Sequence, residues 1–590
     1  MSSLKAILKL RFKAAFAKVL PPEMMGADPI LRVTEDVRHG DFQCNAAMSL
    51  AKVLKQNPKV LAESILAVLD VDDICDQPQI AGPGFINLRF KPAFLAGQVA
   101  LTAGDIRLGV PLANPLIKHF VDFSSPNLAK EMHIGHLRTT ITGDVIARVA
   151  EFLGHPVERI NHVGDWGTQF GMLLEYLEEA EPGVIAHPET FAIADLEGFY
   201  RAAKTRFDAD VAFADRARAQ VVRLQAGEAS ALTLWQVFVK ASLAHCHELY
   251  ALLDIRLNDI GESYYNDKLP EIVSELMAKG IAKENQGAIC VFLDGFVNRE
   301  GEPLPMIIRK SDGGYNYDTT DLAALKYRTQ DCGAQRLIYV TDVRQAQHFA
   351  QVFAAARQAG WAHEPIHLEH IGYGMILGED RRPFKTRDGN TVRLKAVLEE
   401  AIQRAKVLMT TSATANPDKN LSIQATEAVA RAVGIAAVKY FDLSHSLSSD
   451  YVFSWEAMLA MEGNTGPYML YAYARICSIA RKAGVDLETL AIPKTPIFLH
   501  PSELALAKLA LGFSDIIADV AMTLKPNLLT DYLYNLAKVF NTFYDRKTGV
   551  KVLDKSDPDI FASRLMLCQL TARALKTGLN LLGISVVDQM

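Results

Sequence analysis

Two hydrophobic patterns divide the chain. Before Leu394, segments with apolar residues every three or four positions alternate with short apolar runs bounded by Gly, Pro or Asn. The first pattern predicts amphipathic helices, and the second predicts strands. From Leu394 to Met590 the short runs nearly vanish, and long helical patterns such as LKAVLEEAIQRAKVLM take over. We therefore expect a mixed α/β part followed by an all-helical tail.

The mixed part contains the order strand, turn, helix, strand. Strands are predicted at Ile117–Phe123 and Val157–Val163, on either side of a helix from His136 to Phe152. This order is typical of a parallel α/β sheet, in which ligands bind at the carboxyl ends of the strands. The charge-rich helical segment 175–260 is interpreted as an insertion that splits the sheet. Its strands are predicted to resume at Ala288–Leu293, Met306–Arg309, Arg336–Val340 and His367–Ile371.

The amino terminus has two interpretations. Met1–Pro22 contains five basic residues and no acidic one, a composition also found in organelle transit peptides. However, apolar residues recur there at helical spacing, namely Leu4, Leu8, Phe12 and Phe16. This spacing favours the first helix of a folded domain.

The composition is that of a globular protein. The 590 residues are 49% hydrophobic and 22% charged, which excludes wholesale disorder and collagen-like architectures. The formal net charge of −6 means that a nucleic acid would be bound through local basic patches. The seven cysteines are scattered without a CxxC pair, which argues against a zinc ribbon and a disulfide framework and favours the cytoplasm. No apolar run is long enough to predict a membrane span.

The segment FVDFSSPNLAKEMHIGHLRTT carries the strongest chemical signal. His133-Ile134-Gly135-His136 follows a predicted strand and a Ser/Pro/Asn turn, and it opens a helix. Gly135 lets a nucleotide approach the backbone, the histidines are donors on either side, and the helix N-terminus offers N–H groups to anionic oxygens. From the His and Gly content, HxGH is expected by chance in about 2% of such chains, so we interpret the segment as a nucleotide site.

Three segments resemble the signatures of the arginyl-tRNA synthetases, a family of class I aminoacyl-tRNA synthetases: FSSPNLAKEMHIGHLRTT, NHVGDWGTQFG and EGNTGPYMLYAYAR. The resemblance runs over most of the chain. It implies activation of L-arginine by ATP with Mg²⁺ to give arginyl-adenylate, then transfer to the 3′ end of tRNA(Arg), with bound tRNA required for activation. It implies no tightly bound cofactor or zinc, and we expect a monomer.

The resemblance also implies a multidomain α/β fold. A class I synthetase Rossmann-like parallel sheet is expected between an N-terminal α+β domain and a C-terminal all-α anticodon-binding domain. We predict four units: an N-terminal tRNA-binding domain at 1–115, the catalytic domain at 116–375 with its helical insertion at 175–260, a helical phosphate-loop and stem-contact region at 376–465, and the anticodon-binding domain at 466–590.

The second phosphate element of class I synthetases, the KMSKS loop, departs from its usual sequence. It corresponds to PFKTR, in which Pro383 replaces the first lysine. Some arginyl enzymes without the usual loop have a lysine just before HIGH, and Lys130 occupies that position here. We expect Lys130 to supply part of the missing charge; the alternative is a solvated surface lysine. The predicted catalytic and ATP-binding residues are His133, Gly135, His136, Lys130, Lys385, Thr386 and Arg387.

Arginine presents a planar, permanently charged guanidinium, for which carboxylates in bidentate geometry are natural partners. By the resemblance, Glu262, Tyr317 and Asp321 hold the guanidinium. Tyr317 and Asp321 share one helix face if the helix has begun by then. The residues alone also allow Asp321 to be an ordinary first-turn acid and Glu262 a solvated loop charge. The remaining predicted contacts are Asn127 and Gln345 for the α-amino and carboxylate ends, with Ser125 and His136 completing the pocket.

His162 and Asp165 end the second strand. They either bind ribose or order the pocket, whereas Trp166 is predicted to be core. Splayed anticodon bases need aromatic stacking platforms and nearby cations. The resemblance favours anticodon-region contacts at Tyr468, Tyr471, Tyr544 and Met590, and contacts of the N-terminal domain with the outer corner of tRNA at Phe42 and Gln43. The alternative is that the tail tyrosines fill a helix-bundle core.

Two other functions compete with this interpretation. A cysteinyl-type synthetase would share HIGH, but the scattered cysteines argue against it. A catalytically impaired paralogue acting as an RNA-binding protein is supported only by the altered PFKTR loop. The intact HIGH sequence and the guanidinium-type carboxylates oppose it.

Overall fold

The structure is a computed structural model that describes residues 3–34, 36–128, 130–187, 195–298, 300–384, 392–415 and 422–590. The N-terminal part is an antiparallel sheet of strand order β1-β2-β4-β3 with packed helices. Its elements are α1 (Leu4–Val19), β1 (Leu31–Val33), β2 (Phe42–Cys44), α2 (Ala46–Leu54), α3 (Pro58–Leu66), β3 (Gln79–Ala81), β4 (Phe85–Leu88) and α4 (Pro92–Ala103). The apolar face of α1 is buried in the core, including Leu8 and Phe12, as the helical spacing predicts.

The central part is built on a parallel sheet of order β12-β11-β5-β6-β7. This confirms the predicted α/β fold class. Its elements are β5 (His119–Asp122), α5 (Gly135–Phe152), β6 (Val157–Asn161), α6 (Thr168–Ala180), α7 (Leu196–Ala209), α8 (Val211–Gln225), α9 (Ala229–Leu253), β7 (Asn258–Asp259), α10 (Leu269–Ala278), β8 (Ala282–Asn285), β9 (Ala288–Val291), β10 (Met306–Arg309), α11 (Tyr317–Lys326), β11 (Arg336–Asp342), α12 (Ala346–Gln358) and β12 (His367–Tyr373).

Two of the predicted sheet strands belong elsewhere. β9 and β10 pair with β8 in a separate three-stranded antiparallel sheet, so their assignment to the parallel sheet was wrong. β8 and β9 are joined by Gln286 and Gly287, which both have positive φ, of 52° and 79°. A two-residue turn of this kind connects only antiparallel neighbours, because parallel strands need a long crossover.

Beyond the sheet the chain is almost entirely helical. The elements are β13 (Ile376–Leu377), α13 (Leu394–Ala415), α14 (Ile423–Leu443), β14 (Tyr451–Val452), α15 (Trp455–Leu459), α16 (Gly466–Ala483), α17 (Pro501–Leu511), α18 (Phe513–Thr523), α19 (Asn527–Tyr544) and α20 (Pro558–Leu581). The N-cap of α16 is Thr465, whose side chain accepts from the Tyr468 N–H, and its end is Gly484 at φ 76°. None of the described helices is long and apolar enough to cross a bilayer.

Helix α5 joins the parallel sheet to the helical part. Its Arg138 is buried and lies 3.2 Å from the Asp442 carboxylate of α14. The same guanidinium donates to the Gly374 and Ser449 carbonyls, at 2.9 Å each. One turn and a half later, Asp144 of α5 accepts from Arg148 and Arg159 at 2.6 Å each. These buried charge contacts fix the orientation of α5, and its N-terminus opens at the carboxyl edge of the sheet.

Candidate active site

The turn after β5 shapes the first wall of the site. Ser124 and Ser125 adopt φ of 70° and 45°, which is unusual for non-glycine residues. Hydrogen bonds hold this turn: the Ser125 N–H donates to Asn161 Oδ1 at 2.9 Å, and its hydroxyl donates to Asp122 Oδ1 at 2.9 Å. Strained backbone that is held in this way is characteristic of ligand sites.

The strained turn places Asn127 at the edge of the site. Asn127 is exposed and forms a β-bridge with Gly164, at the end of the segment that follows β6. A Cβ at Gly164 would lie 2.0 Å from Asn127 Oδ1, so only glycine permits this approach. The Ser125 hydroxyl, by contrast, is already engaged, since it also accepts from the His162 N–H at 3.1 Å.

The HIGH histidines lie side by side at the start of α5, with their ring planes tilted by 40°. Their ring centroids are 4.0 Å apart. His133 Nδ1 accepts from the Gly135 N–H and His136 Nδ1 accepts from the His133 N–H, both at 3.1 Å. With Nδ1 an acceptor in each ring, the ring proton lies on Nε2. A Cβ at residue 135 would lie 2.8 Å from the His133 ring, which explains the glycine.

Both histidines are neutral. Burial, followed by the proximity of the titratable His133 ring, lowers the pKa of His136 to about 3. Burial and then the charge of Lys130 lower the pKa of His133 below its usual value. Two neutral N–H groups at a helix N-terminus are suited to donate hydrogen bonds to phosphate oxygens without transferring a proton.

The predicted phosphate-loop residues Lys385, Thr386 and Arg387 lie outside the described residues. On one flank Phe384 stacks on Phe453 with ring centroids 4.5 Å apart. On the other flank the Val392 carbonyl accepts from the Ile134 N–H at 2.9 Å, within HIGH itself. The described residues on both sides of this segment are therefore anchored, and Val392 is bound directly to the histidine segment.

Lys130 is exposed and its Nζ lies 4.6 Å from the centre of the Tyr200 ring. Tyr200 belongs to α7 of the helical insertion. Lys130 is thus held beside the HIGH segment by a cation–π contact. The contribution of Lys130 to the phosphate site stays a prediction.

The carboxylates that are predicted to bind a guanidinium lie on α11 and in the segment after β7. α11 begins at Tyr317, so Tyr317 and Asp321 share a face, as the spacing predicts. Asp321 Oδ1 lies 3.9 Å from His162 Nε2. Tyr317 is 60% exposed, which leaves its ring free to cover a ligand.

Glu262 belongs to the segment that follows β7. Its N–H donates to the Val163 carbonyl at 3.1 Å, which ties it to the end of the β6 segment. Burial, then the charges of Asp321 and Asp165, raise the pKa of Glu262 to about 8. Glu262 is half-buried, and the carboxylates of Asp321 and Asp165 are close enough to act on its charge.

Asp165 lies beside Glu262 and contacts the residue that follows it. Its carboxylate accepts from the Ser263 N–H at 2.9 Å and from the Ser263 hydroxyl at 2.6 Å. A Cβ at Gly261 would lie 2.0 Å from that carboxylate, so glycine is required beside Glu262. Trp166 is only half-buried and packs edge-on against Trp235, with centroids 5.8 Å apart.

Sequence reasoning missed one residue of this pocket, His348 of α12. Its Nε2 lies 2.6 Å from Asp321 Oδ2 and its Nδ1 lies 3.0 Å from Asp318 Oδ1. The only signal in the sequence is its position three residues after Gln345, the exposed residue at the N-terminus of the same helix. That spacing puts both residues on one face of α12.

The tail tyrosines divide into two groups. Tyr473 and Tyr532 are buried in the helical core, at 6% and 5% exposure. Tyr468 and Tyr544 are half-buried and linked through Asn541: its amide donates to the Tyr468 hydroxyl at 2.6 Å, and its Oδ1 accepts from Arg475 at 2.9 Å. The Arg475 guanidinium lies 5.0 Å above the Tyr544 ring. Tyr471 and Met590 are half-buried as well.

The N-terminal candidates differ from each other. Phe42 is only 7% exposed and packs edge-on against Phe90, with centroids 5.9 Å apart. A direct RNA contact would require this ring to leave the core, because its strand position faces inward. Gln43, on the other face of β2, is half-buried and donates to Asn87 Oδ1 at 2.8 Å.

Within the described ranges no group of three or more His, Cys, Asp or Glu side chains is placed to hold a metal ion. The cysteines are free thiols, and burial raises the pKa of Cys246, near the HIGH segment, to about 12. The groups that characterise the site are its histidines, its carboxylates and the anchored residues on either side of the predicted phosphate loop.

Comparisons with known proteins cover the whole chain. Three family models match: the class I (R) tRNA synthetase catalytic domain at residues 112–455, the DALR anticodon binding domain at 469–590 and the arginyl tRNA synthetase N-terminal domain at 6–90. An arginine–tRNA ligase of a Nostoc species is 51% identical over 100% of both chains, and that of Synechococcus elongatus is 50% identical over 100% of both.

Solved structures agree with the sequence relatives. Arginyl-tRNA synthetase from Plasmodium falciparum superposes with a TM-score of 0.84 at 29% identity, covering 100% of both chains. The Thermus thermophilus enzyme shares the fold, with a TM-score of 0.81 at 24% identity over 100% of both chains. A cysteinyl-type enzyme is excluded by these full-length matches. The chain belongs to the arginyl-tRNA synthetase family of class I aminoacyl-tRNA synthetases.

Proposed function

We propose that the chain activates L-arginine with ATP at the carboxyl edge of the parallel sheet and transfers it to tRNA(Arg), with activation requiring bound tRNA. The observation that carries this proposal is the placement of two histidine donors at the start of α5, with Glu262 and Asp321 both beside the segment that follows β6. In the first step the arginine carboxylate attacks the α-phosphate of ATP and pyrophosphate leaves. In the second step a ribose hydroxyl of tRNA attacks the adenylate carbonyl and AMP leaves.

His133 and His136 are proposed to stabilise the α-phosphate. Backbone N–H groups donate to the Nδ1 atoms of both rings. The protons on the Nε2 atoms point away from these contacts. Because the two rings are neutral donors, they bind the charge that develops on the pentacoordinate phosphate without taking part in proton transfer. Gly135 and the α5 N-terminus add close backbone approach and N–H groups.

Glu262 and Asp321 are proposed to hold the guanidinium, and Tyr317 to cover it. Two carboxylates match the forked donors of arginine, whereas the point charge of lysine leaves part of the pair unsatisfied. Asn127 and Gln345, both exposed at the edge of the site, are proposed to bind the α-amino and carboxylate ends. The Ser125 hydroxyl is already hydrogen-bonded, so it is proposed to hold the turn rather than to contact arginine directly. His136 is proposed to complete the arginine pocket.

MgATP is proposed to be clamped between HIGH and the loop that carries Lys385, Thr386 and Arg387, with Mg²⁺ as part of the co-substrate. Support comes from the anchored flanks at Phe384 and Val392. Lys130 is proposed to add positive charge after leaving the Tyr200 ring. Cation–π contacts at exposed sites are worth only about 0.5–1 kcal/mol, so a triphosphate competes easily for the ammonium.

On the RNA side, Tyr468, Tyr471, Tyr544 and Met590 are proposed as anticodon-region contacts. The Arg475–Tyr544 pair supports this, since a cation over a half-buried ring resembles the platforms on which unstacked bases lie. Gln43 is the better placed of the two N-terminal candidates, and Phe42 supports its strand from below. We also propose a monomer located in the cytoplasm, which size-exclusion chromatography with light scattering and cell fractionation would test.

The test is ATP–pyrophosphate exchange with arginine, in the presence and absence of total tRNA. Exchange that needs both arginine and tRNA is expected. Exchange without tRNA would overturn the tRNA requirement alone, and exchange with another amino acid would overturn the substrate assignment. An enzyme that binds tRNA but gives no exchange would instead be the impaired paralogue. A His133→Ala, His136→Ala variant serves as the matched negative control.

A further inference from the structure

His348 occupies an unusual place behind the arginine pocket. It lies in the first turn of α12, while Asp318 and Asp321 lie in the first turns of α11. The three side chains are 13–17% exposed, so water screens them weakly. Nothing in the proposed reaction uses His348 directly.

The geometry fixes the protonation state of the ring. Both ring nitrogens face carboxylate oxygens, at 3.0 Å for Asp318 and 2.6 Å for Asp321. An ionised carboxylate only accepts hydrogen bonds, so each nitrogen must carry a proton, and such a ring is an imidazolium. Burial alone would lower the pKa of His348, but the two carboxylates outweigh it and raise the pKa to about 9.

We propose that His348 is a positioning residue for arginine recognition: as an imidazolium bridging Asp318 and Asp321, it orients the Asp321 carboxylate and neutralises one negative charge behind the pocket. This inference rests on the proposed function, because it takes the occupant to be arginine. The contact with His348 uses Asp321 Oδ2, while Oδ1 is left on the side of His162 and the pocket. The guanidinium therefore meets an oxygen whose direction is already fixed.

Asp318 has a different task from Asp321. It contacts the far nitrogen of the ring and so anchors His348. Without this anchor the imidazolium would be held by one carboxylate only, and its proton would be lost at lower pH. Without His348, Asp318 and Asp321 would face each other across a partly buried gap, where like charges repel.

The other groups that face His348 do not replace it. The Tyr317 ring of α11 packs edge-on at 4.9 Å between centroids. His370 of β12 is kept neutral, because burial and then the charge of His348 lower its pKa. The pKa of His162, on the far side of Asp321, is also lowered, mainly by burial. Among the described neighbours, the cation for this acid pair is His348.

The test uses His348→Gln, which keeps an N–H donor but loses the charge. In arginine-dependent pyrophosphate exchange with tRNA, we expect the arginine KM to rise about tenfold or more, the scale of one charged hydrogen bond. The ATP KM and kcat should stay within twofold. His370→Gln is the matched control, since His370 pairs with the Thr341 hydroxyl at 2.8 Å and not with an acid; its arginine KM should not change.

Asp318→Asn provides a second, independent arm. The ratio of its arginine KM to that of the wild type should grow as the pH rises from 7 to 9, because the less strongly held imidazolium loses its proton in that range. If the arginine KM of both variants stays within twofold of wild type at every pH, His348 only packs and the proposal is wrong. If His348→Gln does not fold, the Asp318→Asn profile decides. Failure of the wild type to show arginine-dependent exchange would instead contradict the proposed function.

Discussion

Binding of arginine should expel a proton from Glu262. In the empty site burial and the charges of Asp321 and Asp165 raise the pKa of Glu262 to about 8, so the carboxyl is largely protonated at neutral pH. A bound guanidinium stabilises the carboxylate and opposes both causes of the shift. The arriving cation therefore replaces a proton, and arginine affinity becomes linked to pH.

The size of the effect follows from that pKa. At pH 7 a group with a pKa near 8 is about 90% protonated, so binding should release about 0.9 proton for each arginine. Because the pKa of Glu262 is raised before arginine binds, the affinity for arginine increases with pH until about 8 and then levels off. The dissociation constant should fall about ninefold from pH 6 to 7, or about 1.3 kcal/mol, and about fivefold from pH 7 to 8, or about 1 kcal/mol.

Isothermal titration calorimetry measures both quantities. Arginine is titrated into the enzyme, with and without tRNA, in phosphate and in Tris at the same pH, since these buffers differ in ionisation enthalpy. The dependence of the observed enthalpy on the buffer gives the number of protons released. Glu262→Gln keeps the shape of the side chain but cannot ionise, so it should bind more weakly and release no proton.

A release near zero in the wild type at pH 7 would refute this reasoning. So would an affinity that is constant from pH 6 to 8, because an already ionised Glu262 would give both results. A full release that persists in Glu262→Gln would assign the proton to another group, and Asp165, whose pKa burial also raises, would be the next candidate.

Four further predictions concern single side chains. Asp321→Asn should raise the arginine KM about tenfold or more at unchanged ATP KM in pyrophosphate exchange, and an unchanged arginine KM would contradict its role. Lys130→Ala should lower ATP-driven arginylation, and near wild-type turnover would remove Lys130 from the phosphate site. Arg138→Met should destabilise the fold by about 3–5 kcal/mol in urea unfolding, because it leaves Asp442 buried without a cation; adding Asp442→Leu should restore most of the loss, and a double variant no more stable than the single one would argue against the pair. Tyr544→Ala should raise the tRNA KM by roughly five- to a hundredfold, the range of a lost base-stacking contact, and an unaltered tRNA KM would return Tyr544 to the bundle core.

Local pattern was sufficient where one segment determines the outcome. The HIGH helix starts at Gly135, within one residue of the prediction, because the turn before it and the apolar period after it lie in one stretch of sequence. The parallel pairing of β5 with β6 follows from the same strand–helix–strand order. The spacing of four residues was also enough to predict that Tyr317 and Asp321 share one helix face, since α11 begins at Tyr317.

Long-range contacts were not predictable in this way. His348 meets Asp321 across 27 residues and two different helices, and no period in either helix indicates the partner. The β8–β9 hairpin was missed because Gln286 takes a positive φ that Gln rarely adopts, so the turn lacks its usual Asn or Asp. The burial of Phe42 was not predictable either, because a three-residue strand gives too little alternation to show which face is buried.

The carboxylates at the sheet edge show why the pocket prefers one cation. Asp122 is matched by the buried guanidinium of Arg328 at 2.7 Å, and Asp321 by the ring of His348. Asp165 is satisfied by two hydrogen bonds from Ser263. Glu262 differs from these three, because its negative charge is offset by a proton rather than by a fixed partner. In the proposed arginine complex, the cation that replaces this proton reaches both Glu262 and Oδ1 of Asp321, a task that suits a forked guanidinium and not a single ammonium.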